Sequence, residues 1–165
     1  MSVATCRTAT KADASQIAQL VNVAYRPGGN PGWRHESGLI SGERASPLQI
    51  ERMLASSNSL ILVELQASEI VACVHVEKSG LDCCIGMLAV KPSLQGKGTA
   101  RKMLALAESH AVSAFAARRF VLVVVSARTE LMAYYLRRGY RKTGVIGDYP
   151  LSAGAGTPQV AGLTI

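Results

Sequence analysis

The chain has 165 residues, 48% of them hydrophobic, and a formal net charge of +7. That length suits one domain with a proper core, expected over residues 1–165, and no apolar run nears the ~20 residues that span a bilayer, so no membrane is expected. The charge predicts attraction to anions, yet the basic residues are scattered and two Phe and one Trp offer little to stack on bases; no nucleic acid is expected, and a phosphorylated small molecule is favoured.

The opening MSVATCRTATKADAS has no basic patch, apolar core or small-residue cleavage site, which points to the cytoplasm. Cys6 to Ala9 reads as a short strand, and Thr10 with Asp13 three residues later forms a helix start. Ala14, Ile17, Ala18, Val21, Ala24 and Tyr25 then recur at helical spacing until RPGGNPG forbids continuation. The glycine-rich segment 26–45 carries Trp33, Arg34, His35 and Glu36, an unusual content for a mere connector, and is a candidate substrate loop. Ser46 to Gln49 is a capping box with proline at the first helical position, opening a second helix through Ala55.

LILVEL and IVACVHVE, separated by QASE, read as a strand pair, with CCIGMLAV as a third strand. Cys6, Cys73, Cys83 and Cys84 show no metal spacing, so no metal is expected; Cys83 and Cys84 should point to opposite sheet faces and pack as small hydrophobes. LQGKGTARKML follows, with two glycines and two cations where the chain turns helical, and such a helix start favours a phosphate. From Ala100 a stripe of Met103, Leu104, Ala107, Ala111, Ala114 and Phe115 continues the helix, and FVLVVV from Phe120 to Val125 reads as a buried strand. Glu130 to Arg138 is a fourth helix stopped by Gly139, Tyr140 and Arg141 begin another strand, and PQVAGLTI reads as a last one after a turn-rich stretch.

The glycine turn is not a nucleotide-hydrolysing P-loop, which would need glycine where Lys91 stands, and a dinucleotide fingerprint would need one at Arg101. Gln95, Gly98 and Ala100 in QGKGTA instead resemble the Gln/Arg-x-x-Gly-x-Gly/Ala signature of the GNAT superfamily of acyl-CoA N-acyltransferases. AYYLRRGY is similar to a second motif of that family, with Tyr135, Gly139 and Tyr140 in place, and Arg7, Ala9, Thr10 and Asp13 resemble its opening. The resemblance covers roughly Thr5 to Gly144. It implies an α/β (α+β) fold: a mixed, largely antiparallel sheet of about seven strands with about four helices on its two faces.

The resemblance also implies acetyl-CoA as cosubstrate. Its pyrophosphate would lie on Gln95, Gly96, Lys97, Gly98, Thr99, Ala100 and Arg101, and its pantetheine arm would pair with Leu88, Ala89 and Val90 like an added strand. Lys91 and Lys102 would add cations near the phosphates. Transfer to an amine needs that amine neutral, and a thiolate leaving group needs a proton; by resemblance Tyr135 gives the latter, with packing on the apolar stripe as its plain alternative. For the base, many relatives carry Glu six residues before the Val of AV-x-P, where this chain has Cys84. His75 and Glu77, on one face of the preceding strand, are the alternatives. Arg128 stands where many relatives have Asn beside the pantetheine.

Resemblance places the acceptor between the 26–45 loop, with Trp33 and Glu36, and the segment around Asp148 and Tyr149. Trp33 offers an apolar wall and the acids offer charge for an ammonium; a loop-pinning Trp33 with solvated acids is the bland reading. The expected partner is a small-molecule or peptide amine, and a homodimer stays open. A non-catalytic acyl-CoA-binding sensor is the alternative function.

Overall fold

The computed structural model describes residues 4–25, 40–41, 45–124, 128–143 and 157–158. In chain order these form β1 (Thr5–Thr8), a 3₁₀ turn (Lys11–Asp13), α1 (Ala14–Tyr25), β2 (Ile40–Ser41), α2 (Pro47–Ala55), β3 (Ser59–Gln66), β4 (Glu69–Ser79) and β5 (Asp82–Val90). A second 3₁₀ turn (Pro92–Leu94), α3 (Thr99–Phe115), β6 (Arg119–Val121), α4 (Thr129–Arg137) and β7 (Thr157–Pro158) follow. No helix among the described residues is long and apolar enough to cross a membrane.

Five strands form one sheet in the order β1-β3-β4-β5-β6. All its pairings are antiparallel except β5 with β6. The β3–β4 hairpin turns on Ala67 and Ser68, both at positive φ (50° and 67°), a backbone whose twist matches the strands it joins. Both faces are covered, which explains the near-continuous apolar runs in β3 and β4. On one face Ile17, Val21 and Ile50 of α1 and α2 pack on Ile61, Val63, Cys73 and Ala89. On the other, Met103, Leu104, Ala107 and Ala111 of α3 pack with Tyr135 of α4 on Leu62, Val74, Val76 and Ile85. Cys83 lies in that second core, while Cys84 pairs with Glu77 on the α1 side, so the adjacent cysteines do face opposite ways.

The opening motif is a structural device. Arg7 Nη1 and Nη2 reach Asp13 Oδ2 and Oδ1 at 2.7 and 3.0 Å, and the Thr10 N–H donates to Asp13 Oδ2 at 2.8 Å. One carboxylate thus ties the end of β1 to the turn that starts α1.

Three expectations are corrected. The sheet has five strands rather than about seven: β2 and β7, two residues each, pair only with each other among the described residues. Of the strand expected over Phe120–Val125, only Phe120 and Val121 pair with β5 among the described residues. Tyr140 does not begin a strand: its N–H closes on the Tyr135 carbonyl at 3.2 Å and its hydroxyl donates to Glu108 Oε2 at 2.7 Å, folding this segment onto α3. Beyond Pro158 the expected last strand lies outside the described residues.

Candidate active site

At the end of β5 the chain enters a tight turn in which Gly96 and Gly98 both take positive φ, 77° and 83°. Residues with a Cβ are strained there, and a Cβ built on Gly98 would meet nothing within 4 Å, so the glycine faces open space. Gly98 is also the N-cap of α3, and no side chain caps this helix. The first amides of α3 therefore open outward with the positive end of the helix dipole behind them, an arrangement that fits an anion. Gln95 folds back, its Nε2 donating to the Val90 carbonyl at 3.2 Å, which ties the turn to the strand.

Beside the turn the sheet is split. Between the pairs Cys73↔Ala89 and His75↔Gly86, β4 advances two residues and β5 three, so β5 carries a bulge, with Met87 at φ +50°. The last β5–β6 pair is Cys84↔Val121. The described β5–β6 register therefore ends before the bulge, ahead of Leu88, Ala89 and Val90. Leu88, Ala89 and Val90 lead from the bulge into the glycine turn.

The four cations expected near the turn divide into two kinds. Lys91 is taken by Glu69 at 2.8 Å and Lys102 by Glu64 at 2.5 Å. Lys97 and Arg101 are exposed and meet no carboxylate among the described residues.

Tyr135 is buried on α4, its ring edge-on to Tyr134 and Tyr140 with centroids 5.5 and 6.0 Å away. Burial and the Glu108 hydrogen bond push the Tyr140 phenol well above its ordinary range, leaving it a fixed donor. Tyr134 has a buried hydroxyl without a hydrogen-bond partner among the described residues, and the Arg138 guanidinium lies over its ring at 5.0 Å. Arg128, only 3% exposed, is the N-cap residue of α4, with its Nε 3.3 Å from Glu130 Oε1.

On the α1 side of the sheet, across from the bulge, the structure gathers His75, Glu77, Ser59 and Cys84. Ser59 Oγ lies 2.6 Å from His75 Nε2, and Glu77 Oε2 lies 3.8 Å from the same nitrogen. His75 pairs in register with Gly86, and its side chain is 11% exposed. Cys84 pairs with Glu77. Burial, reinforced by the charge of Glu77, pushes its thiol pKa up, so it stays protonated at neutral pH and is a poor base. Ser59 was not singled out by the sequence; a serine opening an apolar strand carries no signal of its own. Trp33, Glu36, Asp148 and Tyr149 lie outside the described residues.

Residues 40–147 match the family model described as Acetyltransferase (GNAT) domain. The chain belongs to the GNAT acetyltransferase family. Its fold is shared by the PaiA N-acetyltransferase of Thermoplasma acidophilum, solved in complex with coenzyme A (14% identity, TM-score 0.71, 94% of this chain and 96% of that one). It is also shared by a ribosomal-protein-alanine N-acetyltransferase from Brucella melitensis biovar Abortus 2308 (14% identity, TM-score 0.64, 87% and 95% covered). A third similar structure is an aminoglycoside antibiotic 6'-N-acetyltransferase from Acinetobacter baumannii (12% identity, TM-score 0.67, 89% and 97% covered). No curated protein sequence matches. At these identities the neighbours establish the GNAT fold, while the acceptor of this member is a separate question.

Proposed function

We propose that this GNAT protein is an N-acetyltransferase that moves an acetyl group directly from acetyl-CoA to a primary amine of a small molecule or peptide. The observation that carries the reading is the start of α3, a helix opened by a left-handed glycine, uncapped by any side chain, at the mouth of a split sheet. The residues fit the donor. The amides from Gly96 to Arg101 suit its pyrophosphate, Lys97 and Arg101 supply open charge, and the strand backbone at Leu88 to Val90, leading into the turn, suits an amide-bearing arm added as a strand.

In the reaction the amine nitrogen forms a bond to the thioester carbonyl carbon, and the carbon–sulfur bond breaks. An amine of pKa ~10.4 must first lose a proton, at a cost of about 4–5 kcal/mol at pH 7. His75 accepts it: the orientation of the ring is held by Ser59, and Glu77 stabilises the imidazolium. The Tyr135 hydroxyl protonates the departing sulfur. Trp33, Glu36, Asp148 and Tyr149 receive the acceptor, whose apolar body lies on the indole and whose ammonium meets the acids. A protein of net charge +7 repels highly basic acceptors at long range, which ranks monoamines and amino-acid derivatives above polyamines.

Cys84, in place of the carboxylate that many relatives carry, favours a second reading, a non-catalytic acyl-CoA sensor. An amine panel with acetyl-CoA, read by free thiol release, separates the two. Turnover with a monoamine, lowered in His75→Gln, supports the enzyme. Tight coenzyme A binding with no turnover across small-molecule and peptide amines supports the sensor. Trp33→Ala should raise the KM for the amine without altering acetyl-CoA binding; a fall in thermal stability with intact amine kinetics would move the acceptor site elsewhere.

A further inference from the structure

Glu64 sits in the middle of β3 and is only 3% exposed, an unusual place for an acid. One oxygen, Oε1, accepts from Lys102 Nζ at 2.5 Å; the other, Oε2, is buried and has no hydrogen-bond partner among the described residues. Its cross-strand neighbour on β1 is Cys6, on the same face of the sheet. The hydrogen bond to Glu64, against the opposing effect of burial and with a smaller contribution from Cys6, holds the Lys102 ammonium pKa above its ordinary value, so Lys102 stays charged at physiological pH.

The pair is buried at its Glu64 end, while the Lys102 side chain is 48% exposed; such a pair is weak evidence for stability, but it fixes geometry in a way that non-directional packing does not. What this pair fixes is specific. Lys102 belongs to the first turn of α3, and its N–H makes a bond to the Gly98 carbonyl at 3.1 Å. The buried apolar stripe of α3 begins only at Met103, with Ala100 partly buried before it. Upstream lie two left-handed glycines and no side-chain cap, and Gln95 ties only the turn itself back to β5.

We propose that Glu64 and Lys102 form a positioning latch for the donor site, fastening the first turn of α3 to β3 so that the amides following Gly98 stand ready for a pyrophosphate. The inference rests on the reading that this turn holds coenzyme A. It makes Glu64 a positioning residue that never touches the ligand, and it removes Lys102 from the set of phosphate-binding cations.

Calorimetry with coenzyme A tests it on the wild type, on Glu64→Gln, and on a double variant, Glu64→Leu with Lys102→Leu, in which no buried charge is stranded. Glu64→Gln should weaken coenzyme A binding about tenfold, as a displaced site does. The double variant should show the same loss with its melting temperature retained, and the amides of residues 99–102 should exchange hydrogen faster while those of β4 do not. In turnover, the KM for acetyl-CoA should rise with kcat and the amine KM unchanged. Unchanged affinity in both variants overturns the latch. Tighter binding in Glu64→Gln also overturns it, because the released Lys102 would then be serving the phosphates. Absence of binding by the wild type would instead overturn the donor reading itself.

Discussion

The helix that begins at Pro47 is closed by its own side chains, and the helix that begins at Thr99 is not. At the first, Ser46 Oγ accepts from the Gln49 N–H at 3.3 Å while Gln49 Oε1 accepts from the Ser46 N–H at 3.0 Å. At the second, a glycine at φ +83° stands at the N-cap and no side chain bonds back. Every helix start carries backbone donors with no partner inside the helix. α2 satisfies its donors internally and supports the core through Ile50; α3 leaves them to whatever comes from outside, and fastens its first turn by a lateral ion pair instead of a cap. A local stability rule is relaxed at α3, beside the split in the sheet, which is where a functional demand would relax it.

The largest effect separates holding the donor from reacting with it. Tyr135→Phe should lower kcat by about 10²–10⁴ while leaving the KM for acetyl-CoA nearly unchanged, as expected when a general acid is lost. Steady-state kinetics on an identified amine checks this, and wild-type turnover would reduce Tyr135 to a packing residue. Gly98→Asp should do the opposite. A carboxylate at the open N-cap repels a phosphate, and φ +83° strains any side chain by roughly 1–2 kcal/mol, so coenzyme A affinity should fall about a hundredfold while kcat at saturation survives. Equal affinity in that variant would move the pyrophosphate off the turn.

The same contrast explains what could be read in advance. The α2 cap is local chemistry between Ser46 and Gln49, and the structure places that helix over Pro47–Ala55 as expected. The glycine turn and α3 were equally legible, because Gly96 and Gly98 mark a backbone only glycine adopts freely. What escaped depends on residues distant in sequence. In CCIGMLAV only Gly86 hints at a bulge, and a glycine alone does not say that Met87 carries it; without the bulge FVLVVV looks like a full strand. The two partners of the Glu64–Lys102 pair stand 38 residues apart, and the acid in LILVEL was the only hint, a charge in a strand otherwise built for burial. Likewise His75 was visible as a strand histidine, but Ser59 becomes its partner only once β3 and β4 are paired.

A smaller effect should come from breaking the closed helix start. Ser46→Ala removes one side-chain acceptor and half the capping box, which should lower unfolding free energy by about 1 kcal/mol without changing coenzyme A affinity. Denaturant unfolding beside calorimetry reads both. A loss of affinity equal to that of Gly98→Asp would mean that the two helix starts are coupled, and the division of labour between them would fail.

The smallest effect belongs to the carboxylate-tied start of α1, and it is visible chiefly in its pH dependence. The Arg7 guanidinium, ahead of the Thr10 N–H, holds the Asp13 pKa at about 2, below its ordinary 3.8, against the opposing effect of burial. A depressed folded-state pKa contributes stability that is fully present above the unfolded value and is lost as pH falls through the folded one. Asp13→Asn keeps an oxygen for Thr10 but loses the ion pair, and Arg7 is 41% exposed, so solvent screening limits the loss at pH 7 to roughly 0.5–1 kcal/mol. The gap between wild type and variant should be constant from pH 7 to about 5, narrow below about pH 4 as the unfolded carboxyl protonates, and close near pH 2. Chemical unfolding across that range checks it. A gap that persists at pH 2 would show that Asp13 acts through packing or capping alone, and that the Arg7 pair adds nothing to the anchoring of α1.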